Sequence, residues 1–366
     1  MSKRILSRRQ QWRIDKIQEE RTARLSHKDQ LKNQQLDELI NKQALGPEQK
    51  GLVLAHYGTQ LAVEALEGEN KGGTFRCHFR ANLATLVAGD EVVWCLSSDG
   101  SGVVVAQIPR RSELCRPDAH GNVRPVAANI DHIIIVIAPQ PAPSSKLIDR
   151  YLVAAELQDI EPVLLLNKED LIADNSLPGE SEEAQTSDTK TSRSRHEIED
   201  LLAVYKSIGY QVIRSSTHTE HGMDQLKQLL GTGCYIFVGQ SGVGKSSLMN
   251  SLLPDISQKV SALSPTTGQG MHTTTTASLF HIPTGGMLID SPGIREFGLW
   301  QVDTRLIAEG FIDFHPYLGH CKFRDCSHQT EPDCALRRAV TEGHLNQQRL
   351  DNYFAIIASI THPDNN

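Results

Sequence analysis

The order of two motifs constrains this chain more than its composition does. Residues Gly239, Gln240, Ser241, Gly242, Val243, Gly244, Lys245 and Ser246 spell a phosphate-binding loop, G-x4-G-K-S. It follows the apolar run CYIFVG and precedes the apolar stretch SSLMNSLL, the strand-and-helix context that such a loop requires. Its glycines let backbone N–H groups wrap the phosphates, and the helix start, with Ser247, adds its dipole. Lys245 reaches the β and γ oxygens and Ser246 ligates Mg²⁺. A glycine-rich turn alone does not account for Lys-Ser at that spacing. Yet Asn167-Lys168-Glu169-Asp170, a stretch that ordinarily follows such a loop, precedes it here.

That stretch closes the apolar run PVLLL, so Asn167 and Asp170 are expected at the carboxyl end of a strand, where open α/β sheets place ligands. An Asp carboxylate accepts from both N1–H and N2–H₂ of guanine, which adenine cannot reproduce, while Asn167 braces the site and Lys168 lies along the base. A missing hydrogen bond to a buried polar group rejects the wrong base strongly. Taken alone, the four residues also fit an ordinary loop with a helix cap; beside a phosphate loop they indicate guanine. Ser215-Ser216-Thr217, after QVIR, reads as the loop whose backbone N–H meets guanine O6.

Downstream, Asp290-Ser291-Pro292-Gly293 ends the run MLID. A carboxylate there holds Mg²⁺ through water, and the Gly293 N–H senses the γ-phosphate. Between the two lies GQGMHTTTTASL, too polar for a core. One of its threonines is expected to supply the second protein ligand to Mg²⁺: Thr274, with Thr273 and Thr275 as neighbours. In chain order the pieces form the loop cycle of a GTP-hydrolysing domain, cut open and rejoined elsewhere. Because domain termini usually lie close together at the surface, a sheet tolerates a new starting point. The mobile switch segments then adjoin whatever follows Asp290, which should be a fixed anchor.

Cys321-x4-Cys326-x-His328-x5-Cys334 fits that role. Three thiolates and one imidazole suit one tetrahedral structural Zn²⁺ with no open position, so zinc catalysis is not expected. Flanking Lys322, Arg324, Arg337 and Arg338 offer either a nucleic-acid surface or a solvated face. The stretch ALRRAVTEGHLNQQRLDNYFAIIASI has helical spacing and is expected to dock back on this knuckle or on the nucleotide domain.

The remaining chain supplies context. At 366 residues and 39% hydrophobic, two or three domains are expected. No window approaches eighteen uninterrupted apolar residues and no apolar segment follows the basic start, so a cytoplasmic protein is expected. The cysteines outside the late cluster, Cys77, Cys95, Cys115 and Cys234, are scattered, as in a reducing compartment. The net charge of −7 hides an asymmetry: the first 32 residues carry ten Lys or Arg against four acids. Such an arm cannot bury a core and reads as a flexible, phosphate-neutralising or merely solvated tail.

Residues 1–48 are assigned to that arm, and 49–116 to a small barrel from the runs GLVLAHY, QLAVEAL, TFRCHFR, DEVVWCL and GVVVAQI. Five short strands suit an OB-type barrel that holds nucleic acid, helped by the nearby PRRSELCRP, although an SH3-like barrel would leave the same pattern. Residues 117–300 form the nucleotide domain, whose uninterrupted apolar runs predict a doubly wound, mostly parallel sheet. Its polar stretch 173–195 reads as a flexible insertion, and 301–366 as the zinc-binding helical domain.

With GQSGVGKSSL, HTTTT, DSPGIREFGL and CKFRDCSHQTEPDCALRRAV preceded by a small β-barrel, the chain resembles the RsgA (YjeQ) family of circularly permuted GTPases over residues 50–360. The resemblance implies an OB-fold domain, a permuted GTPase domain and a zinc-binding domain. It also implies GTP hydrolysis stimulated by the small (30S) ribosomal subunit, binding near the decoding region of 16S rRNA, and a role in late maturation of that subunit. A monomer that binds GTP and GDP, away from membranes, is expected.

Many GTPases carry a water-orienting Gln directly after the D-x-x-G stretch; here that position is Ile294, so slow intrinsic hydrolysis is expected. His272, just before the threonines, is a candidate to position water once a partner orders its loop. Two other readings stand beside this one. One is a switch with a protein partner and no RNA, marked by salt-insensitive association. The other is an RNA-binding assembly factor in which hydrolysis is incidental, marked by turnover that small subunits do not raise.

Overall fold

The computed structural model describes residues 45–79, 83, 85–117, 122–173, 195–253, 277–290, 299 and 302–361. The arm up to residue 44, most of the insertion (174–194), His272, Thr273–Thr275, Gly293 and Ile294 lie outside them. The described chain divides into two compact units. One runs to Leu86 and resumes over Asp90–Pro109; the other comprises Val87–Gly89 and everything from Arg110 onward.

The first unit contains β1 (Leu45–Tyr57), β2 (Gln60–Ala65), β3 (Thr74–Phe79), β4 (Glu91–Ser97) and β5 (Gly102–Gln107). Their order is β1-β2-β3-β5-β4, and β4 pairs back with β1, closing a barrel. The β3–β5 pair is parallel and the others antiparallel, which is the OB arrangement and not the SH3-like alternative. Alternation along each strand sends Val53, Leu61, Val63, Cys77, Val92, Trp94 and Val104 inward. A Cβ on Gly102 would lie 2.3 Å from the Cys77 sulfur and 2.9 Å from the Trp94 ring, so a bare backbone is what lets the indole fill the interior. The Trp94 N–H donates to the Lys50 carbonyl at 3.3 Å. Burying that side chain is worth about 4–6 kcal/mol.

The second unit opens with an antiparallel hairpin, β6 (Glu113–Pro117) and β7 (Val123–Ala128). There follow β8 (His132–Ile137), α1 (Ser145–Glu156), β9 (Glu161–Leu166), α2 (Asp170–Ala173), α3 (Arg195–Ile208), β10 (Gln211–Arg214) and α4 (Met223–Leu229). Then come β11 (Cys234–Val238), α5 (Lys245–Leu252), β12 (Ser278–His281) and β13 (Met287–Asp290). The strands lie in the order β10-β9-β8-β11-β13-β12, parallel except for β12 against β13. The continuous apolar runs occur because these strands are covered on both faces: Ile134, Val136, Val163, Leu165, Tyr235 and Leu288 pack with Leu226, Leu248 and Leu252 of the helices in one core. Strands β6, β7 and β12 escape the sequence reading. They are four to six residues long and broken by charged or polar side chains or by proline, so no apolar run marks them.

The C-terminal part belongs to this second unit. A 3₁₀ turn at Ile312–Phe314 precedes α6 (Ala335–Thr341) and α7 (Gln347–Thr361). The single helical pattern of the sequence is thus two helices, broken at Gly343, whose φ of 75° an L side chain adopts at a cost. Helix α7 is fixed to α1 through charge. Asp149, fully buried on α1, receives the Arg349 Nη1–H at 2.5 Å, the Asn352 amide at 2.6 Å and the Tyr205 hydroxyl at 2.7 Å. Arg349 also holds Asp313 at 2.5 Å and lies over the Phe311 ring, 4.5 Å from its centroid. Burial disfavours the Arg349 charge, but hydrogen bonds to Asp313 and the charges of Asp149 and Asp313 outweigh it and raise its pKa above the ordinary value.

Candidate nucleotide site and metal centre

Parallel strands all point their carboxyl ends to one edge, and there the predicted motifs meet. Gly239 follows β11, Asn167 follows β9, Ser215 follows β10 and Asp290 ends β13. The phosphate loop is built on backbone that only glycine tolerates. Gly239 has φ 138°, and a Cβ there would come within 2.2 Å of the Val136 carbonyl. Gly244 has φ 97°, and its missing Cβ leaves room for the Asn167 amide, which would otherwise lie 2.3 Å away. Helix α5 starts at the next residue, and the N-terminal turn of a helix favours an anion.

Lys245 opens that helix and donates to the carbonyls of Gly239 and Gln240, both at 2.6 Å, so its ammonium is tethered inside the loop. Ser241, Gly242, Ser246 and Ser247 are exposed, whereas Val243 is buried and anchors the loop in the core. At the loop's start the Gly239 N–H is hydrogen-bonded to the buried Tyr151 phenol of α1. Asp290 ends β13, next to β11 from which the phosphate loop springs, and burial pushes its carboxyl pKa upward, a penalty that a bound cation would relieve. These residues, Ser246 and Asp290, could hold Mg²⁺; Thr274, the other candidate, lies outside the described residues.

The residues expected to read guanine are tied to the phosphate loop and to each other. Asn167 is fully buried; its amide donates to the Val243 carbonyl at 2.9 Å, and its own Oδ1 accepts from Ser215 Oγ at 3.4 Å. Lys168, at φ 58°, donates to the Gly242 carbonyl at 2.6 Å and to Gln140 at 3.2 Å. Asp170 receives the Ser216 hydroxyl at 2.5 Å, and Ser216 Oγ in turn accepts from the His218 and Thr219 N–H groups, each at 3.2 Å. The sequence assigned the serine loop a backbone role only. The Ser216 hydroxyl, which orients Asp170, was not foreseen, although its place directly after β10 was the available signal. Gln140 and Tyr151 were missed outright, since neither belongs to a motif.

Cys321, Cys326, His328 and Cys334 come together, all four donor atoms within 4.8 Å of one another. The His328 Nδ1 lies 3.5 Å from Cys321 Sγ and 3.4 Å from Cys334 Sγ, and the two sulfurs are 4.0 Å apart. A tetrahedron of 2.3 Å Zn–S and 2.0–2.1 Å Zn–N bonds has edges of about 3.6–3.8 Å, so the set fits a metal of that size. Burial and the neighbouring thiols push Cys326 up to about 12, and burial pulls His328 down. Metal binding at Cys326 therefore releases a thiol proton. The Ala335 N–H donates to Cys321 Sγ at 3.4 Å, and Tyr353 of α7 sets its ring 6.3 Å from that of His328.

Three comparisons bear on this site. The profile of the RsgA GTPase family matches residues 107–300. The small ribosomal subunit biogenesis GTPase RsgA of Pseudomonas fluorescens Pf-5 is 53% identical over all of this chain and 99% of its own. That of Azotobacter vinelandii is 52% identical over the full length of both. Among solved structures, YjeQ from Thermotoga maritima superposes with a TM-score of 0.66 at 28% identity, over 86% of this chain and 99% of its own. YloQ, described as a circularly permuted GTPase, gives 0.65 at 27% identity, over 87% and 97%.

Proposed function

The chain belongs to the RsgA GTPase family, and from that premise we propose that it hydrolyses GTP on the small (30S) ribosomal subunit during late maturation, bound to 16S rRNA. The reading rests on one observation: four loops from distant parts of the sequence converge at one sheet edge, with the guanine and phosphate ends joined by the Asn167–Val243 hydrogen bond. Asp170 reads the base with Asn167, Lys168 and the Ser215–Ser216 loop holding it. The loop from Gly239 to Ser247 wraps the phosphates. Ser246, Thr274 and, through water, Asp290 would hold Mg²⁺, which would neutralise charge on the phosphates, while the Gly293 N–H senses the γ-phosphate. In the reaction Lys245 stabilises charge on the transferring phosphoryl group, and His272 positions the water that Ile294, standing where many GTPases carry Gln, does not orient.

The Cys₃His cluster holds one structural Zn²⁺ and acts as the anchor behind the switch segments. As a ribosome-biogenesis factor it acts in the cytoplasm, as a monomer. Among the described residues no helix is long and apolar enough to cross a membrane. Three experiments check these assignments. GTP turnover is expected to rise by orders of magnitude when isolated 30S subunits are added and ATP to remain inert; an unchanged rate refutes the ribosomal partner. His272→Ala is expected to lose at least about 100-fold of the stimulated rate, the lower end of what a general-base or water-positioning group contributes, with affinity for GTP kept. Separately, metal analysis is expected to find one zinc per chain. Its removal by a strong chelator should melt the region around α6 and α7, seen as a lost thermal transition, because structural zinc contributes folding free energy directly.

A further inference from the structure

An ion-pair clamp lies beside the guanine site, in an open cleft of about 830 Å³ that Asp170 also lines. Arg214 is the last residue of β10, directly before Ser215 and Ser216. Its guanidinium grips Glu199 of α3 with two parallel bonds, Nη1 to Oε1 at 2.8 Å and Nη2 to Oε2 at 2.6 Å. The same Nη1 reaches Glu169 at 3.3 Å. Glu169 stands inside the guanine-reading stretch, next to Asp170, and its second carboxylate oxygen faces His221 Nε2 at 3.2 Å. One backbone bond runs across the same gap, from the Glu169 N–H to the Ser215 carbonyl at 3.2 Å, and another, from the Ser216 N–H to the His221 carbonyl at 2.9 Å, closes the serine loop on itself.

The turn that this clamp touches is not self-supporting. Lys168 holds a left-handed φ of 58°, a conformation that persists in a non-glycine residue only when its surroundings impose it. Lys168 is pinned on the phosphate side through Gly242; Glu169 is the corresponding hold on the other side. A bidentate Arg–carboxylate pair fixes direction as well as distance, which a lone surface ion pair does not.

We propose that Arg214, backed by Glu199, is a positioning residue for guanine recognition, holding the Asn167–Asp170 turn against the Ser215–Ser216 loop so that the Asp170 carboxylate faces N1 and N2 of the base. The proposal rests on the guanine site described above. Loosening the turn weakens two hydrogen bonds to guanine but only one to hypoxanthine, which lacks the N2 amino group. Discrimination between the two bases therefore reports Asp170 placement, whereas a merely structural role for the pair would lower melting temperature and leave the ratio alone.

The test is calorimetric binding of GDP and IDP to the full-length, metal-bound protein. Arg214→Gln is expected to weaken GDP by about three- to tenfold more than IDP, the effect of one misplaced hydrogen bond. Arg214→Lys should recover part of that ratio, and Glu199→Gln should reproduce the loss if Arg214→Gln does not fold. An Asp170→Asn chain serves as the reference and is expected to prefer XDP to GDP. If it does, and the Arg214 and Glu199 variants keep the wild-type GDP:IDP ratio, the positioning role is overturned. If Asp170→Asn does not change base preference, the guanine site itself is misassigned and the inference falls with it.

Discussion

Lys245→Ala is expected to lower GTP turnover by about 100- to 1,000-fold, the cost of removing one preorganised charge donor from a transition state. The reason lies in how the side chain is already held. Its ammonium donates to the carbonyls of Gly239 and Gln240, both at 2.6 Å, so it needs little reorganisation to meet a phosphate. Deleting it does more than remove a cation: it leaves two carbonyl dipoles turned toward the place where negative charge develops. The loss should therefore appear in kcat as well as in affinity, measured by single-turnover hydrolysis at saturating GTP. Equal kcat in the variant would mean that the loop binds nucleotide without taking part in the reaction.

Arg349→Met should have the largest effect on stability. The pair it breaks is buried at both ends, with Asp149 fully enclosed and Arg349 1% exposed. Removing one partner of a buried ion pair leaves an uncompensated charge and costs about 3–5 kcal/mol, equivalent to about 6–20 °C in melting temperature for a unit of this size. The pH dependence has a definite sign. Burial pushes the Asp149 carboxyl up, and Arg349 is the main force pulling it down. Without Arg349, its folded pKa lies further above the unfolded value, so the cost is present at neutral pH and shrinks as the carboxyl protonates in acid. Asp149→Asn placed in the Arg349→Met background is expected to recover part of the loss, because an amide carries no charge to strand. Melting curves of the three chains from pH 5 to 8 decide the matter, and a loss that does not narrow in acid would show that packing around Arg349, not its charge, is what matters.

This network also bears on function. Helix α1 carries Asp149, which holds α7, and Tyr151, which meets Gly239 at the start of the phosphate loop. Helix α7 carries Arg349 toward α1 and Tyr353 toward His328 of the metal cluster. One helix pair thus joins the cluster to the phosphate loop through direct contacts.

What the sequence determined by itself is chemistry written in short segments. The loop from Gly239 to Ser246 is legible because only glycine permits φ near 138° and 97° at its two fixed positions. The metal set is legible because four ligands within fourteen residues can close on one ion without help from the rest of the fold. The cyclic order of motifs identifies the permutation, and continuous apolar runs identify strands covered on both faces. Tertiary structure decided whatever depends on residues far apart in sequence that carry no mark of their own. The parallel β3–β5 pair that makes the barrel an OB type is set by a crossover, not by any residue pattern. Asp149 and Arg349 stand 200 residues apart, and Ser216 and Asp170 stand 46 apart. An isolated Asp, Arg or Ser looks the same whether it faces water or a partner. Only packing, which removes the water and brings the other group within hydrogen-bond reach, tells them apart.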